Sequence, residues 1–427
     1  MQNDTPDRTK QPEMREMDTF SLPEYSIRYL DNKIPVILFH AGEQEVTKLD
    51  FVFHAGSWHQ PAPMIAPATA ELLTAGTKQY TSHEIAAQTD YYGAYLITHA
   101  TPDYSSVTIF TLNKYLEEMS ALTEEIIKHP SFPPDEIETH LRNQKHQMQV
   151  SEQKVDYLAR TRFNEHLYGE NHPYGRFLKE DYFDNVNQDS LKQFHKSHYH
   201  SGNGYIIASG KLPPQIMTLL NRHFGGSGWN GIILQPKIHT TETAQPGIYK
   251  VPKQDSVQSA IRMGKKLFTR DHPDFQAMKV VNTIFGGYFG SRLMKNIREE
   301  KGYTYGIYSS VQSMLHEGSF FISAETGKDV TDKAIEETFK ELEKLQNDKV
   351  SDEELNTVKS YMLGSVLKMV DGAFAAADFY RTLYHAGLDE QYFYDFIRTI
   401  KTIDAEKIRT LAQKYLNKED FIQVIAG

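Results

Sequence analysis

Leu191–Gly210 reads LKQFHKSHYHSGNGYIIASG, and Ile408–Gly427 reads IRTLAQKYLNKEDFIQVIAG. Each runs from an apolar-periodic helix through a polar turn into an apolar strand and stops at glycine. A unit that recurs near the end of each half of a chain argues for two copies of one α/β domain.

The segments upstream repeat as well. In the first half, alternation marks a hairpin over Tyr25–Phe39 and a strand around Leu49–His54, with a helix after it. Thr81-x-x-Glu84 is a capping box that opens a second helix. Strands over Tyr95–Ala100 and Ser105–Thr111 follow, then a helix from Lys114 to Lys128 with Leu116, Met119, Leu122, Ile126 and Ile127 on its buried side. The second half gives a strand over Gln258–Gly264, a helix over Pro273–Phe285, a short helix through Arg298, strands over Tyr303–Val311 and Ser319–Ala324, and a long helix. Ser351-x-x-Glu354 is a further capping box, opening a helix toward Val370. Residues 225–247 are rich in glycine, proline and threonine and lack helical periodicity. The expected organisation is a frayed segment 1–19, a domain 20–224, a linker 225–247 and a domain 248–427.

Composition limits the function. A chain of 427 residues, 39% of them hydrophobic, is long enough for two or more packed domains. There is no cysteine, which excludes disulfides, thiolate metal sites and cysteine nucleophiles. The formal charge of −10 disfavours a sequence-independent grip on nucleic acid. The first twenty residues lack the apolar core of a signal peptide, and no run approaches membrane-spanning length. The expected location is cytoplasmic, although a periplasmic protein whose signal had been removed would look the same.

The most specific stretch is Phe285–Gly306, FGGYFGSRLMKNIREEKGYTYG. Ser291 can cap a helix there, Leu293, Met294 and Ile297 form its apolar face, and Gly302 suits the left-handed position that ends it. A strand begins at Tyr303. Arg298, one position past the buried face, and Tyr305, across the turn, can then converge on one point, a pairing suited to a peptide carbonyl or carboxylate.

The stretch resembles the C-terminal domain of the pitrilysin/insulinase family of zinc metallopeptidases, in which an arginine and a tyrosine at this separation bind substrate opposite the zinc. The resemblance covers nearly the whole chain. It implies an α/β fold of the α+β sandwich type, with duplicated domains that are each a mixed, largely antiparallel sheet with helices packed on it. An arginine beside Glu299 and Glu300 would otherwise be read as a solvated helix charge; the resemblance favours binding.

The other half of the family's site is missing. The family carries His-x-x-Glu-His on a helix, because two imidazoles one turn apart hold Zn²⁺ while a carboxylate takes a proton from its bound water. Aligned on Gly56-Ser57 and Gly76-Thr77, the five positions are Pro67-Ala68-Thr69-Ala70-Glu71. Both histidines and the base are gone. Where the downstream glutamate ligand is expected stand His146, Gln147 and Met148, with Glu152 the nearest following acid.

Three other patterns look like functional motifs. His195-x-x-His198-x-His200 has a ligand-like spacing, but anchoring the repeat on Tyr199 and Tyr415 puts Leu411, Lys414 and Leu416 at those positions, which the fold therefore uses without metal. Glu165-His166 lacks a first ligand, since position 162 is Arg162. Gly226-Ser227-Gly228-Trp229-Asn230-Gly231 matches GxGxxG, yet it follows a helical segment and leads into the linker.

The resemblance and the missing motif together imply a non-catalytic subunit of a heterodimeric zinc peptidase that degrades peptides in an enclosed chamber. The zinc sits on a homologous sister chain and none on this one, while Arg298 and Tyr305 hold the peptides or unfolded segments that are the substrate. The alternative is a non-enzymatic peptide-binding or scaffold protein of the same fold. An independent hydrolase ranks last, because no nucleophile elbow or complete metal set is present.

Overall fold

Strand Val46–Phe53 is eight residues long, and all but its first residue are buried. A strand with one face in water would alternate between buried and exposed, so this one is covered on both faces. The reason is visible in the computed structural model, which describes residues 8–9, 21–232 and 237–427. Of the expected frayed segment 1–19, all but Arg8 and Thr9 lies outside the described residues.

The first sheet contains β1 (Tyr25–Tyr29), β2 (Pro35–His40), β3 (Val46–Phe53), β4 (Tyr95–Ala100), β5 (Ser105–Leu112) and β6 (Gly204–Gly210), in the order β1-β2-β6-β3-β5-β4. The second contains β7 (Gly247–Val251), β8 (Gln258–Leu267), β9 (Thr304–Ser313), β10 (Gly318–Gly327) and β11 (Ile422–Ala426), in the order β7-β11-β8-β10-β9. Apart from β1, the two orders correspond strand for strand. In each sheet only the pair containing the closing strand, β2/β6 or β7/β11, is parallel. The fold is thus two copies of a mixed, largely antiparallel sheet with helices packed on it.

On one face each sheet carries helices from its own half. Leu49, Phe51, Val107 and Ile109 pack with Met119, Ile126 and Phe194 in the first core, and Ile261, Met263 and Ile322 pack with Leu342, Val358 and Leu411 in the second. The opposite faces are covered by exchange. Helix Val155–Tyr168 of the first half lays Ala159, Phe163 and Leu167 on Ala260, Phe321, Ile422 and Val424 of the second sheet. Helix Gly372–His385 of the second half lays Ala376, Ala377 and Tyr380 on Ile37, Phe39, Val52 and Ile207 of the first. Both helices have 14 residues, and ungapped alignment puts Ala159 on Ala376 and Phe163 on Tyr380, all four buried. Each large apolar side chain so covered contributes about 1.5–3 kcal/mol, so the exchange ties the halves together. The chain leading into β7 reinforces it: Trp58 Nε1 donates to the Lys237 carbonyl at 2.9 Å, and His239 Nε2 donates to the Trp58 carbonyl at 2.9 Å.

Several local expectations hold, and others shift. The Thr81/Glu84 capping box has both arms. Ser351 Oγ accepts from the Glu354 N–H, but the Glu354 carboxylate does not return the bond; it takes the Arg292 guanidinium in a bidentate pair at 2.9 and 2.8 Å. The helix expected over Pro273–Phe285 is α-helical over Phe275–Asn282 and widens to a π-turn over Thr283–Gly287. β9 starts at Thr304 rather than Tyr303. The tyrosine anchor in the repeat slips by one residue. Helices Gln188–His198 and Ala405–Tyr415, capped by Asn187 and Asp404, place Tyr199 opposite Leu416 and His195 opposite Ala412. No helix among the described residues is long and apolar enough to cross a membrane.

Candidate functional site: an arginine between two exposed rings

Arg298 lies on a short helical segment held from three sides. Leu293, Met294 and Ile297 are buried, as their spacing predicts. Arg292 is paired with Glu354, and Asn296 Nδ2 donates to Glu341 Oε1 at 2.7 Å in the interior. The segment Met294–Glu300 is a π-turn rather than an α-helix, with Lys301 N–H donating to the Asn296 carbonyl at 2.9 Å, five residues back. Ser291 does not cap it. Residues 292 and 293 are already helical, and the Ser291 hydroxyl is buried without a hydrogen-bond partner among the described residues. Gly302 has φ +66°, the left-handed turn that the sequence predicts, and sends the chain into β9.

Tyr305 is aimed by a bulge. Thr304 pairs with Thr326 and Ile307 with Ala324, so β9 carries one more residue between these pairs than β10 does. The Thr304 hydroxyl braces the irregularity, donating to the Glu325 carbonyl at 2.6 Å and accepting from the Gly306 N–H at 3.1 Å. The Tyr305 side chain is left 92% exposed.

The structure brings the two predicted residues together. The Arg298 guanidinium lies 5.3 Å from the centre of the Tyr305 ring and 4.7 Å from that of Phe289. The sequence reading missed Phe289, although the stretch it quoted contains it; an aromatic residue inside a glycine loop is the available signal. Arg298 makes no ion pair or hydrogen bond among the described residues, so its donors are free for a ligand while the rings hold the cation in place. Phe289 and Tyr305, but not Arg298, are among the residues that line a cleft of about 820 Å³.

The positions of the missing zinc motif lie elsewhere. Pro67, Ala70 and Glu71 belong to the helix Ile65–Glu71, and none of them lines this cleft. Glu71 faces the helix Pro134–Ser151, with its carboxylate 3.6 Å from His140 Nδ1 and accepting from Gln144 Nε2 at 3.0 Å. Of the expected third-ligand place at His146–Met148, Met148 is buried in the core. One imidazole, one amide and one carboxylate do not fit a catalytic zinc, which needs deprotonated or neutral strong donors around an open position. No group of three or more His, Asp or Glu side chains that could hold a metal occurs among the described residues.

The remaining patterns are structural. His195 Nε2 donates to the Ile127 carbonyl at 2.7 Å, His198 Nδ1 to the Phe194 carbonyl at 3.1 Å and His200 Nε2 to the Ser197 carbonyl at 3.1 Å, so they do not converge on a shared point. Glu165 pairs with Arg162 at 2.7 Å, and His166 stacks on Tyr249. The GxGxxG segment is a single turn over Ser227–Trp229, whose indole is buried and donates to the Tyr199 carbonyl.

The fold and site define a class of duplicated α/β protein with an exposed cation–aromatic pair and no metal donor set among the described residues. Comparison with known proteins gives the family. Residues 36–178 match the profile described as insulinase (peptidase family M16), and residues 185–362 match that described as the peptidase M16 inactive domain. The chain belongs to the pitrilysin/insulinase family, peptidase family M16, as a homologue without the zinc motif. It is 23% identical over 297 residues to a Bacillus subtilis protein named uncharacterized zinc protease YmxG, covering 68% of this chain and 71% of that one. It is also 23% identical over 307 residues to the Helicobacter pylori non-peptidase homolog YmxG, covering 70% of each. Among solved structures, a peptidase M16 inactive domain from Pseudomonas fluorescens superposes with a TM-score of 0.84 at 24% identity, covering 94% of this chain and 98% of the other.

Proposed function

We propose that this chain is the non-catalytic, substrate-binding subunit of a heterodimeric zinc metallopeptidase. The observation that carries the reading is the state of Arg298, a cation beside two exposed rings with none of its donors used among the described residues. A guanidinium at the surface is ordinarily solvated or paired with a neighbouring carboxylate. Here Glu299 and Glu300 adjoin it in sequence, yet neither pairs with it among the described residues.

In this account a homologous sister chain holds the zinc and its water. Peptide bound against that centre is met from the other side by Arg298 and Tyr305, which donate hydrogen bonds to a carbonyl next to the scissile bond, orienting it and stabilising charge that develops there. That Glu71 is not among the residues lining the Tyr305 cleft supports the division of labour. Purification from the native cell under mild conditions tests it. A sister chain bearing His-x-x-Glu-His should copurify, and the mixture should cleave peptides that neither chain cleaves alone.

A further inference from the structure

The internal repeat supplies a control for one unusual residue. On β3, Asp50 lies opposite Ile207 of β6 and Thr108 of β5; on β8, Arg262 lies opposite Val424 of β11 and Ser323 of β10. These are the same place in the two sheets, each facing the helix lent by the other half. Asp50 is fully buried and its charge is answered: it pairs with Lys48 at 3.0 Å and Arg381 at 3.3 Å, and accepts from Thr108 Oγ1 at 2.6 Å. Arg262 is only 8% exposed, but no carboxylate answers it among the described residues. Its guanidinium lies 3.6 Å over the Phe321 ring, and its Nε has no hydrogen-bond partner there. In the aligned helices Asn164 stands where the first half has Arg381, so the second half carries no reciprocal counter-charge.

Space opens where that counter-charge is missing. A cleft of about 690 Å³ is lined by Arg160, Arg176 and Arg262, with Tyr308 and Asn164 and without any acidic residue. Burial depresses the pKa of Arg262; the Tyr308 phenol, hydrogen-bonded to it, opposes the shift and the like charge of Arg160 adds to it, so two cations share a cleft that offers them a phenol and no carboxylate. This cleft shares Arg160, Arg262, Tyr308 and Phe321 with the larger cleft that Tyr305 lines. Asp156 and Glu325 line only the larger one, and neither pairs with Arg160 or Arg262 among the described residues. A buried arginine answered by a neutral phenol and by no carboxylate is destabilising unless an anion completes it.

We propose that Arg262, Arg160 and Arg176 form a carboxylate-binding subsite, which takes an acidic side chain or the C-terminal carboxylate of a peptide lying along the two joined clefts. This deepens the peptide-binding reading and rests on it. It also runs against the chain's net charge of −10, which on its own would favour basic peptides. Guanidinium forks are the side chains best shaped for carboxylate oxygens.

The test uses the full chain and dansylated decapeptides that differ only in two glutamates against two glutamines, each with a free or an amidated C-terminus. Fluorescence anisotropy should show the preferred carboxylate form binding roughly tenfold or more tighter. A preference that follows the glutamates assigns the side chain, and one that follows the free terminus assigns the terminus. Arg262→Met and Arg160→Ala should each abolish the preference. Arg262→Met should not lower the melting temperature, because it removes an unpaired buried charge at nearly constant volume; a lower melting temperature with the preference intact would make the residue structural and overturn the proposal. Citrate, compared with chloride at equal ionic strength, should raise the melting temperature of the wild type and not of Arg262→Met. If citrate does so but no peptide binds, the anion site stands and the peptide reading falls. Equal binding of acidic and neutral peptides, or no citrate effect together with no carboxylate preference, would overturn the subsite.

Discussion

The Arg298 guanidinium and the Tyr305 ring centre lie 5.3 Å apart, although the arginine comes from a π-turn and the tyrosine from a bulged strand across a left-handed glycine. Neither residue's packing requires this proximity. The segment's apolar contacts are made by Leu293, Met294 and Ile297, and Tyr305 is almost fully exposed.

Arg298→Ala should therefore impair function and spare the fold. Loss of a charge-assisted hydrogen bond worth about 1.5–3 kcal/mol lowers catalytic efficiency of the reconstituted pair roughly 10- to 150-fold. Tyr305→Phe removes a neutral donor and should cost less. Turnover and melting temperature, measured on the same preparations, separate this from a structural role.

Phe289→Ala should act through the arginine. Its ring holds one face of an exposed guanidinium, an interaction of about 0.5–1 kcal/mol, so efficiency should fall roughly two- to fivefold. In the Arg298→Ala background the same substitution should cost almost nothing. A double-mutant cycle with an interaction energy near zero would separate the two residues.

Asp50→Ala should be destabilising, by about 1–3 kcal/mol, because it leaves Lys48 and Arg381 beneath helix Gly372–His385 with only the half-exposed Asp378 as their shared acceptor. Arg262→Met, at the matching place of the other sheet, should leave stability unchanged or raise it. Denaturant midpoints of the two variants test that asymmetry directly.

Acid should loosen the seam between the halves. His385 stacks near His54, and its two ring nitrogens have no partner among the described residues. Burial first, then the positive charges of His54, His59, His316 and Arg270, push its pKa down to about 3. His59 is lowered to about 4, by burial and then by His198, His54, His316 and Lys237. The unfolded chain takes up these protons near pH 6.5 while the folded chain refuses them. Stability is thus fully present above about pH 6.5 and is lost as pH falls toward 4, with a slope of up to about 1.4 kcal/mol per pH unit for each such histidine. Melting temperatures between pH 7.5 and 4.5 should fall accordingly, and His385→Phe should flatten the fall. A flat profile in the wild type would contradict the assignment.

Much of this architecture is legible in the sequence because the repeat is written in short-range signals. The stretches closing at Gly210 and Gly427 share helix, turn and strand, and binary patterning fixes which side of helix Leu116–Lys128 is buried. The exchange of helices is not legible. Ala159 and Phe163 would bury equally well against either sheet, and only the tertiary arrangement decides which. Local capping rules failed where a distant partner competed: Glu354 left its capping box for Arg292, 62 residues away. At the site, the proximity of Arg298 and Tyr305 could be read from their spacing, while the binding role expected of them came from the family resemblance. Arg262 could not, because its significance lies in a missing partner, which only the structure's own second copy of the sheet reveals.

The central claim is tested most directly by reconstitution. The purified chain, dialysed and analysed for metal, should hold no stoichiometric zinc and cleave no peptide; mixed with its zinc-bearing sister chain it should give chelator-sensitive cleavage that the sister alone does not show, and Arg298→Ala in this chain should suppress it. About one zinc per chain with cleavage by this chain alone, or a sister fully active without it, would contradict the account.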